Sequence, residues 1–244
     1  MIHRHHDTLL AVDLKIGEHH QAHAFGMTFN VDTIWSSVTA GVIVLVAALY
    51  MARRASSGRP SKLQLAFETI VDAVETQVRS SMGDVAPFVV PLAVVLFLYI
   101  LIANWLELIP SGGYLEAPSG DINFTLALGL FVIVWVHVSH IKQKGWRRYF
   151  AHYKHGVPVI APFLNAIEEL VKPFTLALRL FGNIFAGGVM LAIIGLLPAV
   201  VLWVPNVLWK GIDFAVAVIQ AFIFALLTIL YFGFALEPEE EAAH

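Results

Sequence analysis

The stretch PFTLALRLFGNIFAGG at residues 173–188 holds one arginine, Arg179, within an apolar run between Ile160 and Pro198. A run that long and that apolar reads as a helix crossing a membrane. An arginine near its middle costs roughly 2.5–3.5 kcal/mol on insertion scales. The charge must therefore meet protein, water or a counter-ion rather than lipid. Thr175, Arg179 and Asn183 recur every four residues and so stack along one helical stripe. Gly182, Ala186, Gly187 and Gly188 lie close to that stripe. Small residues let another helix approach closely. The reading is a fixed positive charge on a smooth helical face, offered to a neighbour inside the bilayer.

Composition agrees with a membrane setting. Hydrophobic residues make up 58% of the chain and charged residues 14%, with a mean hydropathy of +0.75. A soluble domain carries about 25% charged residues. A soluble core cannot absorb this much apolar surface, so the class is a polytopic membrane protein. The net charge of −3 matters less than its distribution. With no cysteine, the chain gives no sign of redox compartment. The first 25 residues are polar and histidine-rich, without the apolar segment of a cleavable signal peptide.

The expected fold is all-α, with about five transmembrane helices, one amphipathic interfacial helix, and two long tilted helices at the C-terminal end. A polar lead at 1–33 precedes a single membrane domain at 34–244. The spans are expected at 34–51, 85–109, 123–141, 161–197 and 207–236, and the interfacial helix at 62–82. In that helix Leu65, Ile70, Ala73 and Val74 alternate with Glu68, Asp72, Glu75 and Arg79. It is too charged to span and reads as lying at the interface or packed on a partner. The last two spans exceed the length a bilayer needs, which implies tilt or partial embedding. Pro87 suits a helix start, Pro91 implies a kink, and Pro198 and Pro205 bracket a short turn. Trp35, Trp105, Trp146, Trp203 and Trp209 fall near span ends, as in an aromatic belt. The lead holds His3, His5, His6, His19, His20 and His23. Their bland reading is a solvated terminus; no metal site is assigned, since no cysteine joins them and the acids lack ligand-like spacing.

Loops 52–62 and 142–154 are rich in lysine and arginine, whereas 110–122 and 198–206 have none. Basic loops stay cytoplasmic. Five spans then place the N-terminus outside and the C-terminus in the cytoplasm.

Polar groups within a membrane are candidates for function. Asn183 shares the stripe of Arg179, and its bland reading is a packing hydrogen bond. Asp213 and Gln220 lie seven residues apart, two turns along one face of the last helix. Asp213 is read as part of a proton route, or else as the partner of Lys210. Gln220 is read as a neighbour of Arg179, or as an interhelical hydrogen bond. Glu107 is an external acid of the same route or a snorkelling interfacial group. Asp121 is either an acid of that route or a helix N-cap. Glu168 and Glu169, three turns towards the cytoplasm from Arg179, either draw protons from that side or favour the start of their helix. His137 and His140 read as interfacial. Together, Glu107, Asp121 and Asp213 are external, Glu168 and Glu169 internal, and Arg179 stands between: two aqueous half-routes separated by a fixed charge.

These residues also resemble a known family. LRLFGNIFAGG at 178–188 is similar to the signature of subunit a of the bacterial F-type ATP synthase, the stationary half of its proton channel. QAFIFALLTILYF at 220–232 resembles that subunit's last helix. NWLELIP at 104–110 and DINFTLALGL at 121–130 match its middle segments in order. The likeness covers roughly 63–232. It implies a proton-translocating stator of a rotary ATP synthase, with offset half-channels that load and unload carboxylates of a rotating ring of c subunits. It also implies peripheral-stalk b subunits, a soluble catalytic sector reached through the stalk, and a place in the bacterial plasma membrane. A carboxylate nearing a fixed guanidinium is favoured in its ionised form and releases its proton there. Arginine itself does not deprotonate, so it blocks a direct proton shortcut.

The chain departs from the family at three places. Gly188 stands where several members carry an ionisable residue, and Asp213 where some carry histidine. The resemblance implies that these two places face each other, so Asp213 carries alone what is elsewhere shared. Asn165 stands where some members have a glutamate, with Glu168 and Glu169 one turn away. No GxxxxGK[ST] loop is present, so the chain is not expected to be an enzyme on its own. No cofactor and no nucleic acid is implied. The alternative is a secondary ion-coupled transporter whose buried arginine and acids bind substrate. It predicts unwound half-helices and repeat symmetry, and neither is evident.

Overall fold

The computed structural model describes residues 21–24, 27–55, 60–82, 87–106, 108, 118–145 and 160–236. Within the helices some positions are described by backbone alone, among them Glu168, Glu169, Arg179 and Asn183. His3, His5, His6, His19, His20, Glu107 and Trp146 lie outside the described residues.

The sequence predicts helices, and the described residues form six: α1 (Val31–Arg54), α2 (Lys62–Met82), α3 (Val89–Leu106), α4 (Ile122–Lys144), α5 (Ile160–Gly195) and α6 (Ala199–Leu236). A short antiparallel hairpin, β1 (Gln21–Ala24) and β2 (Met27–Asn30), precedes them, pairing Gln21 with Asn30 and Ala24 with Met27. A single 3-10 turn, Pro118–Gly120, leads into α4. Four helical segments among the described residues are long and apolar enough to cross a membrane: Val31–Arg54, Val89–Leu106, Ile122–Gln143 and Val200–Leu236. In α5 the described apolar stretch is the shorter Phe185–Gly195. The chain is a multi-pass membrane protein.

Local chemistry fixes the helix ends. Asp32 sits in the first turn of α1 and Arg53 and Arg54 in its last, matching the partial charges of the helix termini. Asp121 caps α4 by accepting from the Asn123 backbone N–H at 2.8 Å. Gly145 ends α4 with φ +81°, a left-handed conformation suited to glycine, and donates its N–H to the Ile141 carbonyl at 2.9 Å.

The core lies between α3 and α6. α3 is apolar all round, the pattern of a helix enclosed on several sides. Val89, Ala93, Leu96, Phe97 and Ile100 of α3 pack with Ala221, Phe224, Ala225, Ile229 and Phe232 of α6. Phe88 meets Phe232 edge to face at 5.6 Å. α2 lays Ile70, Val74 and Val78, one residue per turn, across both helices. Its apolar stripe is thus covered by this chain's own helices. α4 packs on α6 and α5. α1 packs on α3 through Ala40 against Ala103 and Leu106, and the Ser37 hydroxyl bonds the Tyr99 phenol at 2.7 Å. The opposite face of α1, including Trp35, Val38, Val42, Leu45 and Leu49, is exposed.

Several boundaries differ from the sequence expectation. α1 begins at Val31, so the lead yields to helix three residues before the expected 34. Pro91 is the third residue of α3, where an N–H has no intrahelical acceptor, so it requires no kink. Pro205 lies inside α6 rather than bounding a turn, because the helix starts at Ala199. With 36 and 38 residues, α5 and α6 are roughly 54 and 57 Å long, against a hydrocarbon core of about 30 Å. Neither fits upright within the hydrocarbon.

Candidate functional site

α1, α4 and α6 begin, and α3 and α5 finish, at one end of the bundle, called here the near end. Direct contacts fix this: Asp121 at the start of α4 meets α1, Asn104 at the end of α3 meets Ser119, and Trp105 of α3 meets Phe214 of α6. α5 and α6 are joined at the near end by a tight turn over 196–198. A helix pair with so short a link runs antiparallel.

Asp213 projects from α6 onto the backbone of α5. A methyl placed at Gly187 would meet the Asp213 Oδ1 at 3.4 Å. Gly187 is buried there, and by the four-residue repeat it continues the row Thr175, Arg179 and Asn183. The glycine lets the carboxylate lie flush against that row. Gly187 is the neighbour in sequence of Gly188, the position that the resemblance sets opposite Asp213. Asp213 is half-buried; Lys210, three residues back on α6, lies within coulombic reach of it, with no ion pair between them among the described residues.

Away from the turn, Gln220 lies seven residues further along α6 and Arg179 eight residues back along α5. At 1.5 Å per residue these steps are about 10 and about 12 Å in the same sense. Both positions therefore sit at similar depth, well inside the bundle from the Asp213 contact. Gln220 is buried, in the α6 stripe that includes Ala217, Ala221 and Phe224. On α5, Val171, Phe174, Thr175, Leu178, Gly182, Phe185 and Ala186 form one exposed stripe, and a methyl at Gly182 would meet nothing within 4 Å. By helical register Arg179 and Asn183 lie between this open face and the Gly187 side. Thr175 returns its hydroxyl to the Val171 carbonyl at 2.9 Å, so it adds no polar reach of its own.

Asp121 is held differently. Besides capping α4, its Oδ2 accepts from the Asn30 amide at 2.6 Å and from the Thr33 hydroxyl at 3.2 Å. The buried carboxylate thus ties the start of α4 to the end of the hairpin and the start of α1. Asn30 and Thr33 were not singled out from sequence; a polar pair beside a helix start was the available signal. Asn104 is buried, and its Oδ1 accepts from the Ser119 hydroxyl. Ser36 Oγ, Asn104 Nδ2, Trp105 Nε1, Asn206 Oδ1 and Trp209 Nε1 are buried without a hydrogen-bond partner among the described residues. All lie in the near-end portions of α1, α3 and α6. Buried polar atoms need hydrogen bonds, and water supplies them where protein does not. Trp105 stacks on Phe214 at 4.5 Å, and the indole nitrogens of Trp105 and Trp209 are both buried, so two members of the expected aromatic belt turn into the bundle near Asp213. His140 is buried and His137 half-buried, both with partners. Among the described residues no group of three or more His, Cys, Asp or Glu could hold a metal ion.

The geometry can be set beside known proteins. A family model described as ATP synthase A chain matches residues 33–233. The ATP synthase subunit a of Acidothermus cellulolyticus is 54% identical over 230 residues, spanning 93% of this chain and 84% of that protein. Those of Mycobacterium bovis and Mycobacterium tuberculosis are each 46% identical over 251 residues, spanning 96% of this chain and 98% of theirs. With the match running from the start of α1 to the end of α6, this chain belongs to the ATP synthase A chain family.

Proposed function

We propose that the chain is the proton-translocating stator subunit of a rotary ATP synthase. The observation that carries the reading is Asp213 lying on Gly187, in the row of Arg179, with Gln220 at the depth of the arginine. An external half-route then runs from the near end past Glu107 and Asp121 to Asp213. The buried polar atoms at that end that have no partner among the described residues favour its hydration. An internal half-route opens at Glu168 and Glu169 near the start of α5. Asn183 and Gln220 flank Arg179, whose charge separates the two. The open stripe of α5 is where a ring of c subunits passes. An arriving carboxylate loses its proton beside the guanidinium and regains one from the other route before re-entering lipid, where its charge would be costly.

On this reading the subunit catalyses nothing alone. It works with the c ring, peripheral-stalk b subunits and a soluble catalytic sector, in a bacterial plasma membrane. Its N-terminus is outside and its C-terminus cytoplasmic, with 1–33 as lead and 34–244 as one membrane domain. α5 runs unbroken from Ile160 to Gly195, without the unwound half-helices of a substrate-binding transporter. The test is Arg179→Ala in reconstituted vesicles, with ATP synthesis and passive proton leak measured together. Synthesis is expected to vanish and leak to rise, and Arg179→Lys is expected to fail at synthesis too. Synthesis at the parent rate in Arg179→Ala would make the arginine a packing residue and overturn the mechanism.

A further inference from the structure

Lys210 and Asp213 are the only charged residues in the 38 residues of α6. A lysine inside so apolar a helix has to meet water or a counter-ion. Asn206, Lys210, Asp213, Ala217 and Gln220 follow at steps of four and three, so they share one face of α6. That face turns inward: Ala217 and Gln220 are buried and Lys210 is half-buried, whereas Leu208, Ile212 and Phe214 on the other side are exposed. Side chains on a helix lean towards its N-terminus. α6 begins at the near end, and lysine is longer than aspartate. The ammonium therefore lies between the near end and the Asp213 carboxylate. The two groups act on each other through space, with no ion pair between them among the described residues. Closer still to the near end, Asn206 Oδ1 and the Trp209 indole nitrogen are buried with no hydrogen-bond partner among the described residues. Such surroundings favour water. On its far side the carboxylate lies against Gly187.

We propose that Lys210 is a tethered counter-ion that makes the external half-route selective for protons over alkali cations. The proposal rests on the reading that protons enter from the near end past Asp213. An ionised carboxylate in a wet, half-enclosed route draws in small cations of any kind. Lys210 supplies the balancing positive charge on the chain itself, so no free cation is needed beside Asp213. Any further cation then makes the site net positive and is repelled. A proton meets the same repulsion, but it arrives by hopping between waters and ends in an O–H bond to the carboxylate. A sodium or potassium ion forms no such bond and has to shed its water. Alkali ions are stripped of water by rings of oxygens. Here α6 offers one carboxylate, and the α5 surface against it is a glycine. Lys210 takes no part in the transfer; it acts through Asp213 as a specificity-determining residue.

The test uses the complete synthase complex in liposomes with the catalytic sector outward, so that the near end opens to the lumen. ATP synthesis is driven by a fixed proton gradient, with the lumen holding sodium chloride or choline chloride at equal ionic strength. Each rate in sodium is divided by the same variant's rate in choline. For the wild type that ratio should stay near one. In Lys210→Gln the sodium concentration that halves synthesis should fall about tenfold, the scale of one charge–charge interaction in a partly wet site. Lys210→Arg should restore the wild-type ratio. Passive proton flow through vesicles stripped of the catalytic sector, in the same two salts, gives the same ratio if synthesis in Lys210→Gln is too slow to read. A wild-type ratio in Lys210→Gln would overturn the proposal, as would a sodium-sensitive Lys210→Arg. An assembled Lys210→Gln complex that passes no protons even in choline would make the lysine structural and overturn it too. Asp213→Asn, run alongside, reports on the route itself: full synthesis there would remove the route, a failure distinct from that of the filter.

Discussion

Two aspartates with the same chemistry are placed for different work. Asp121 accepts from the Asn123 backbone, Asn30 and Thr33, so its oxygens are engaged in holding three segments together. Asp213 lies against a glycine, and its charged neighbour Lys210 makes no ion pair with it among the described residues. An amide can replace a carboxylate as a hydrogen-bond acceptor, but it cannot carry a proton at ordinary pH. Asp121→Asn keeps one acceptor oxygen, enough for the Asn123 cap, but turns a donor N–H₂ towards Asn30 and Thr33, so it should lower the yield of assembled complex on heating, though less than Asp121→Ala does. Asp121→Ala should cost about 1–3 kcal/mol through the lost cap and the stranded partners, seen as a lower yield of assembled complex on heating. Asp213→Asn should leave assembly intact while slowing proton-driven synthesis, and Glu107→Gln should slow it less, being nearer bulk water. Equal, full synthesis in Asp213→Asn would remove that residue from the route.

Among the elements, the pairing of α5 with α6 matters most, and Gly187 governs it. A methyl there meets the Asp213 carboxylate at ordinary contact distance, but a branched side chain has no room. Gly187→Ala should be nearly silent in synthesis, whereas Gly187→Leu should fall to the level of Asp213→Asn by pushing the carboxylate off the helix. If Gly187→Leu retained the parent rate, the contact would have no part in transport. Periodicity made this pair legible only in part. The four-residue row through Arg179 and the seven-residue step from Asp213 to Gln220 could be read from spacing. Which residue of one helix meets which of the other depends on crossing angle and rotation, which spacing does not encode. Pro205 misled for a related reason: proline is usually a stop signal, yet α6 continues through it. The clasp around Asp121 was half legible, since the cap is local whereas its partners in the hairpin and α1 lie about 90 positions away.

At the scale of the whole molecule, α1, α3, α4, α5 and α6 alternate in direction; four described segments are long and apolar enough to cross a membrane, and on the proposed reading α5 crosses as well, so successive loops alternate between the two sides. Side contacts within the bundle agree with that alternation: the starts of α1 and α4 are tied through Asp121, and the end of α3 stacks on the outer part of α6. The basic residues that close α1, Arg53 and Arg54, lie at the end opposite the turn between α5 and α6. Arginine-rich loops resist translocation, so that end is expected to face the cytoplasm. Ala55, just past α1, and Leu197, in the turn between α5 and α6, are both exposed, so each accepts a probe without disturbing the core. The chain has no native cysteine to confuse the measurement. In sealed inside-out vesicles, an impermeant maleimide should label Ala55→Cys at once and Leu197→Cys only after the membrane is opened; right-side-out vesicles should reverse the pattern. Labelling of both from one side would mean an even number of crossings between them. That would leave Glu168 and Glu169 on the same side as Asp213, and two half-routes opening on opposite sides could not exist.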